Sequence, residues 1–248
     1  MDSTRWRSTH ALALSAIAVG GILTATMPGT ATAAPSGPDV SSWQHLDGRF
    51  IDWFAVRRSG HDFAMVKATE GLNYVNPYFI QDSLLMRAAG VARGTYHYAQ
   101  PSLPPQSQAA LYAATVLGQN GPLDLPPVLD MENAGGLDPA RLINWTRRYL
   151  ETIELLTGRT PIIYTNPNFW KTAMANTDEF VHYPLWIADY RGNDQPEVPG
   201  GWPTWTFWQT TDRGKVPGIA GGTDVNVYSG AQGDFARYAH ISGLLGSS

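Results

Sequence analysis

Between Pro38 and Tyr228 short β-like runs alternate with helical patterns five times, after which the strands continue and the helices stop. The first unit pairs Asp39 to Ser41 with a helical stretch from about Arg49 to Ser59, ended by Gly60. The second pairs Phe63 to Ala68, closed by Thr69-Glu70-Gly71, with a helix that Asn76-Pro77 caps and Gly90 stops, and whose Phe79, Leu84, Leu85 and Ala88 share a face. The third joins Val91 to Ala99 with an Ala-rich helix from Gln106 to Leu117. In the fourth, the strand ending in PPVLDMEN precedes a helix opened by Asp138-Pro139, along which Leu142, Trp145, Tyr149, Ile153 and Leu156 recur every three to four residues up to Gly158. The fifth is Pro161 to Thr165, then a helix from Asn166-Pro167 containing Phe169, Trp170 and Met174. Leu185 to Tyr190, Thr206 to Thr210 and Thr223 to Tyr228 follow as bare strands, and the tail forms a short helix at most. Alternation of this kind predicts a mainly parallel sheet. Eight strands predict closure into an α/β, TIM-like barrel of five β/α units followed by three β-strands; an open doubly wound sheet is the alternative.

The first thirty residues follow a different logic. Arg5 and Arg7 precede an apolar run from Ala11 to Met27, and Ala31-Thr32-Ala33 supplies a small-x-small site. That order predicts a secretory signal peptide over residues 1–33 and a single mature domain over 34–248, secreted and extracellular. An uncleaved anchor is the alternative, but the run holds a Gly pair and is slightly short for a span. Export permits disulfides, yet the chain has no Cys, so the mature domain must rest on its core, and thiol nucleophiles and thiolate metal sites are excluded. With Lys plus Arg at 17 against Asp plus Glu at 21, no basic face suits a nucleic acid. The six His are scattered, and His97 reads as a hydrogen-bonded strand residue, so no metal is expected.

Chemistry concentrates at Asp130 and Glu132. Side chains at i and i+2 of a strand share a face, so both acids project together where the strand ends. Two carboxyls that close do not both ionise cheaply; one keeps its proton, and a proton-holding acid beside an ionised partner is the minimum equipment for cleaving a glycosidic bond. In a parallel barrel the residues at strand ends converge on one mouth, which here gathers Asp39, Glu70, Tyr98, Asp130, Glu132, Tyr164, Asp189, Gln209 and Asp224. Trp43, Trp186, Trp205, Trp208, Tyr96 and Tyr190 lie near the same ends and suit the apolar face of a sugar ring.

These segments are similar to a known set. DVSSWQ (Asp39 to Gln44), VKATEG (Val66 to Gly71), GTYHYA (Gly94 to Ala99), VLDMEN (Val128 to Asn133), PIIYT, LWIADY, the pair Trp208-Gln209 and TDVNVY (Thr223 to Tyr228) occur in the order found in glycoside hydrolase family 25, which the chain resembles from Pro38 to about Tyr228. The family comprises lysozymes that hydrolyse the β-1,4 bond between N-acetylmuramic acid and N-acetylglucosamine of bacterial peptidoglycan, on a barrel of five strand-helix units and three closing strands. The resemblance implies Glu132 as catalytic acid and base, Asp130 as its essential partner, Asp39 and Asp224 as further acids of the mouth, and Glu70, Tyr98, Tyr164 and Gln209 in sugar contact. It implies a monomer acting on peptidoglycan glycan strands, with no cofactor, no metal, no nucleic acid and no stable membrane association after leader cleavage. A peptidoglycan-binding barrel without turnover and a hydrolase of chitin-type N-acetylglucosamine chains are the rival readings. No appended wall-binding repeat is visible.

Overall fold

The computed structural model describes residues 33–118 and 124–244, so the expected leader lies outside them but for its last residue. In chain order the elements are β1 (Ser36–Val40), α1 (Trp53–Arg58), β2 (Phe63–Glu70), β3 (Tyr74–Val75), α2 (Phe79–Ala89), β4 (Ala92–Tyr98), α3 (Pro105–Thr115), β5 (Asp124–Asp130), α4 (Pro139–Thr157), β6 (Ile162–Thr165), α5 (Pro167–Thr172), β7 (Leu185–Ala188), β8 (Phe207–Gly214), β9 (Thr223–Tyr228) and α6 (Gln232–Leu244). Parallel pairing runs from β1 through β2, β4, β5, β6 and β7 to β8, and β9 closes the ring antiparallel to both β8 and β1. This is the expected closed α/β barrel. The two-residue β3, which the sequence reading lacks, adds antiparallel to the end of β2.

Period-two alternation sorts the side chains into two layers. On β2, Ala64, Val66 and Ala68 pack outward against the helices, whereas Phe63 and Met65 fill the barrel. On β5, Leu129 points outward and Val128 inward, which turns Asp130 inward too and carries Glu132 toward the same opening. Interior tiers are apolar at the floor and polar at the mouth. The tail does more than expected: Phe235 of α6 meets Phe63 and Tyr228 with ring centroids 5.3 Å from each, so the helix closes the floor of the barrel. Close approach of β1 to β2 requires Gly37, because a Cβ there would fall 1.9 Å from the Phe63 carbonyl oxygen.

Several expected boundaries shift for local reasons. The first helix begins at Trp53 rather than Arg49 because the Asp52 carboxylate caps Ala55 N at 2.9 Å, and two 3-10 turns precede it. Asn76 accepts from Tyr78 N at 3.0 Å, but α2 proper starts at Phe79. Met174 falls beyond the end of α5, although it remains in the core. The face expected for α2 is wrong: Leu84 is 64 % exposed, while Asp82 is buried. Asp82 is inward because it accepts from His45 Nε2 at 2.9 Å and from Trp53 Nε1 at 3.0 Å, partners that a hydrophobic pattern cannot reveal.

Candidate active site

The polar tier of the barrel surrounds a cavity of about 310 Å³ lined by Asp39, Asp130, Glu132, Asp224, Tyr98 and Gln209, among others. Asp39 and Asp224 are register partners on β1 and β9. Asp224 reaches the mouth from the first turn of its strand, since β9 runs against the others; the sequence reading, which set it at the far end of a parallel strand, has the right residue by the wrong route. Gln209 bridges the two acids. Its Oε1 accepts from Tyr164 Oη at 2.8 Å and from Tyr190 Oη, which fixes the amide so that Nε2 donates to Asp39 Oδ2 and, at 3.3 Å, to Asp224 Oδ2.

Burial, first of all, raises the Asp39 carboxyl well above the usual range, and the Asp224 charge adds to it; the Gln209 bond pulls the other way. Asp224, less enclosed, is raised to about 6, chiefly by desolvation. Two such acids share a proton near neutral pH. Because the folded pKa of Asp224 lies above its unfolded value, its stabilising contribution is complete below about pH 4 and is lost as pH rises through about 6. Asp224→Asn therefore raises the thermal midpoint at pH 7, by the equivalent of about 1–2 kcal/mol after allowance for solvent screening, and the gain disappears in melts below about pH 4.

Asp130 is 5 % exposed, and its Oδ1 is a buried oxygen with no hydrogen-bond partner among the described residues. Desolvation raises its pKa well above normal, the neighbouring Glu132 charge raises it further, and Lys67 opposes both. Glu132 stands more open, at the rim, yet desolvation raises it too, with Lys67 again opposing and the Asp224 charge adding a little. Lys67, which strand alternation turns inward, lies 4.6 Å from the centre of the Tyr98 ring and pairs with Glu70. Glu70 also accepts from Gln100 Nε2 at 3.1 Å, so it reaches the cavity through Lys67. The Tyr98 hydroxyl is pushed up to about 12 by burial and then by the surrounding carboxylates, and remains a neutral donor.

The remaining expected residues divide. Asp189 does not join the acids: Arg191 holds it from Nε at 2.8 Å and Nη2 at 2.6 Å and keeps it below its ordinary value. Trp205 and Trp208 face away, donating to Gln195 Oε1 at 3.0 Å and Asp189 O at 2.9 Å. Trp186 and Tyr96 form the cavity floor, where Asn226, absent from the sequence reading, accepts from Trp186 Nε1 at 2.8 Å. Trp43 is 81 % exposed on the wall of the same cavity. His97 lies outside the barrel interior between Thr69 Oγ1 at 2.7 Å and Gln108 Oε1 at 3.0 Å, and burial lowers it to about 4, so it is a neutral packing residue. Among the described residues no group of three His, Cys, Asp or Glu is arranged to hold a metal ion.

Residues 38–219 match the sequence profile described as glycosyl hydrolases family 25. The chain is 40 % identical over 199 residues to YegX of Escherichia coli K12, spanning 78 % of this chain and 69 % of that protein. It is 34 % identical over 209 residues to Lysozyme M1 of Streptomyces globisporus, spanning 81 % and 69 % of the two chains. The crystal structure of the bacterial lysozyme from Streptomyces coelicolor superposes with a TM-score of 0.80 at 33 % identity, over 85 % of this chain and 99 % of that one.

Proposed function

The chain belongs to glycosyl hydrolases family 25 and is a glycosidase, and from that premise we propose that it is a secreted N-acetylmuramidase cutting the β-1,4 bond between N-acetylmuramic acid and N-acetylglucosamine in peptidoglycan. The observation that carries the reading is the acid pair at one cavity, with the buried Oδ1 of Asp130 lacking a partner. Residues 1–33 serve as the export leader, and Asp39, Asp224, Tyr98, Tyr164 and Gln209 hold the sugar and the charge pattern around it.

Within the protein's own surroundings the enclosed Asp130 holds a proton more firmly than the open Glu132, because desolvation penalises its anion more. A substrate acetamide reverses that order. Its N–H supplies the bond that Oδ1 lacks and stabilises the carboxylate, while the sugar strips water from Glu132 and favours its neutral form. Glu132 then protonates the oxygen between the sugars. The acetamide oxygen, oriented by Asp130, attacks the anomeric carbon as the bond to that oxygen breaks, giving a cyclic intermediate. Glu132, now anionic, takes a proton from water, which opens the ring with net retention of configuration.

Mass spectrometry of digests of defined muropeptide chains tests the proposal. New reducing ends on muramic acid, first formed as the β-anomer by NMR, are expected. New ends on N-acetylglucosamine, or intact chains after bound protein is washed away, would replace it with the chitin-type hydrolase or the binding barrel.

A further inference from the structure

The groove is two cavities that meet at the proton donor. Beside the cavity of the four acids lies a second, of about 480 Å³, over Asn166 and Asn168; Glu132 and Tyr164 line both. An acid that protonates the bridging oxygen marks the boundary between the two sugars. Asp130 lines only the first cavity, so the sugar it addresses lies there and the departing chain occupies the second. The basic side chains of that second half are consumed within its own wall, Arg191 by Asp189 and Glu197, and Lys171 by Glu197, which leaves it no spare cation. This assignment rests on the muramidase reading above.

Strand order fixes what lies on the other side. The second cavity is built on the end of β6, the start of α5 and the loop after β7, whereas Trp43 follows β1. Three strands separate β1 from β6 in either direction round the barrel. Trp43 lines the first cavity and not the second, so it stands across the mouth from the departing chain. A strand that leaves over α5 therefore reaches Trp43 beyond the sugar held at Asp130.

Trp43 differs from the other tryptophans of the described residues. Each of those donates its indole N–H to a protein acceptor, whereas Trp43 donates to none and is 81 % exposed. An indole left in water forgoes most of the burial energy that such a side chain can supply. Its backbone, by contrast, is braced on both sides. Ser41 Oγ accepts from Trp43 N at 3.3 Å, and Gln44 Oε1 completes the cap by accepting from Ser41 N at 2.8 Å. Tyr74 Oη donates to Ser42 Oγ at 2.8 Å, and His45 stacks on Tyr78 with ring centroids 3.8 Å apart. A fixed stem carrying an unspent aromatic face costs little ordering when a ligand covers it. That face suits the C–H side of a pyranose, and the free N–H suits a hydroxyl or acetamide oxygen.

We propose that Trp43 is the platform for the sugar on the non-reducing side of the cleaved muramic acid, which in an alternating strand is an N-acetylglucosamine. Stacking there anchors the strand at a point remote from the scissile bond, and such binding energy can be spent on holding the muramic acid against Asp130 and Glu132. Trp43 thereby sets a preference for cutting within strands over releasing a terminal muramic acid.

Two defined glycans with the same scissile bond and the same leaving side test this. In one the muramic acid is the non-reducing end; in the other an N-acetylglucosamine precedes it. The wild-type kcat/KM for the longer chain is expected to exceed that for the shorter by about tenfold. Trp43→Ala brings the ratio to about one, and Trp43→Tyr, which keeps an aromatic face, restores most of it. In Glu132→Gln, binding of the longer chain moves the tryptophan emission to the blue, and adding Trp43→Phe abolishes that shift. Equal wild-type rates on the two chains, or a ratio that Trp43→Ala leaves unmoved, overturns the proposal while leaving the muramidase reading in place. Absence of cleavage of either chain by the wild type, with the blue shift and its loss in Trp43→Phe retained, ends the muramidase reading and keeps the platform.

Discussion

Glutamine at position 132 lowers kcat on peptidoglycan by roughly 10³-fold or more and leaves the circular dichroism spectrum and the thermal midpoint intact. The change removes the one group at the meeting point of the two cavities that can hand a proton to the bridging oxygen and take one back from water. It retains size and hydrogen bonding, and Glu132 lies beyond the end of β5 at the open rim, where the fold does not depend on its charge. Substrate affinity is expected to hold, since the acid works in the transition state and contributes little to ground-state binding. Turnover counted as new reducing ends and affinity measured by fluorescence together make the check. A variant that still lyses walls at near wild-type rate removes Glu132 from the chemistry, whatever its place in the groove.

The acids around that position explain why such a site is costly to fold. Asp39, Asp130 and Asp224 are all displaced upward, so each is harder to ionise in the native state than in the unfolded chain. Gln209 and its two tyrosines hold Asp39 and Asp224 in register, and Lys67 offsets the charge of Asp130 and Glu132. Stability is thereby traded for a pair of carboxyls ready to exchange one proton, a pattern common to glycosidase sites.

How much of this the sequence carries depends on the range of the interaction. Strand alternation and helix caps are local, so the barrel, the cap at Asp138 and the inward turn of Asp130 are legible directly. Asp130 and Glu132 stand two residues apart, and their proximity needs no knowledge of the tertiary fold. Interactions across the fold are another matter. Asp82 looks like a solvated helix residue until His45 and Trp53 close on it from other elements, and nothing in its neighbourhood announces them. Phe235 reads as part of a frayed tail because the open floor it fills belongs to strands far away in sequence. Lys67 looks like a partner for Glu70 alone; its inward facing, deducible from period two on β2, was the available signal for its larger role beside Tyr98 and the acid pair. The cluster of Lys171, Arg191 and Glu197 draws on α5 and an irregular loop, where no periodicity constrains direction.

Asp130→Asn should cost about as much in rate as the change at Glu132, and its signature distinguishes how the anion acts. Asparagine preserves shape, but its amide cannot become the anion that an acetamide N–H requires, so the oxygen of the substrate is left poorly oriented and the positive charge building at the anomeric carbon is uncompensated. A loss of roughly 10²–10³-fold in kcat is expected, of the size seen when a preorganised electrostatic group is removed from a transition state. The fold should hold or gain, for the native carboxylate is buried and its ionisation is opposed by Glu132; the midpoint of Asp130→Asn is expected at or above that of wild type at pH 7, with the difference narrowing as pH falls and the native carboxyl takes up its proton. Substrate chemistry then decides the role. If Asp130 orients the acetamide, glycans whose muramic acid lacks the N-acetyl group are poor substrates for wild type, and Asp130→Asn slows them little further. If instead Asp130 itself attacks the anomeric carbon, wild type cleaves the deacetylated glycan well and the variant loses that activity in full, and mass spectrometry of a trapped wild-type reaction finds a sugar esterified to residue 130. The unpartnered Oδ1 favours the first outcome, because a buried oxygen that no protein group satisfies is what receiving a substrate N–H requires.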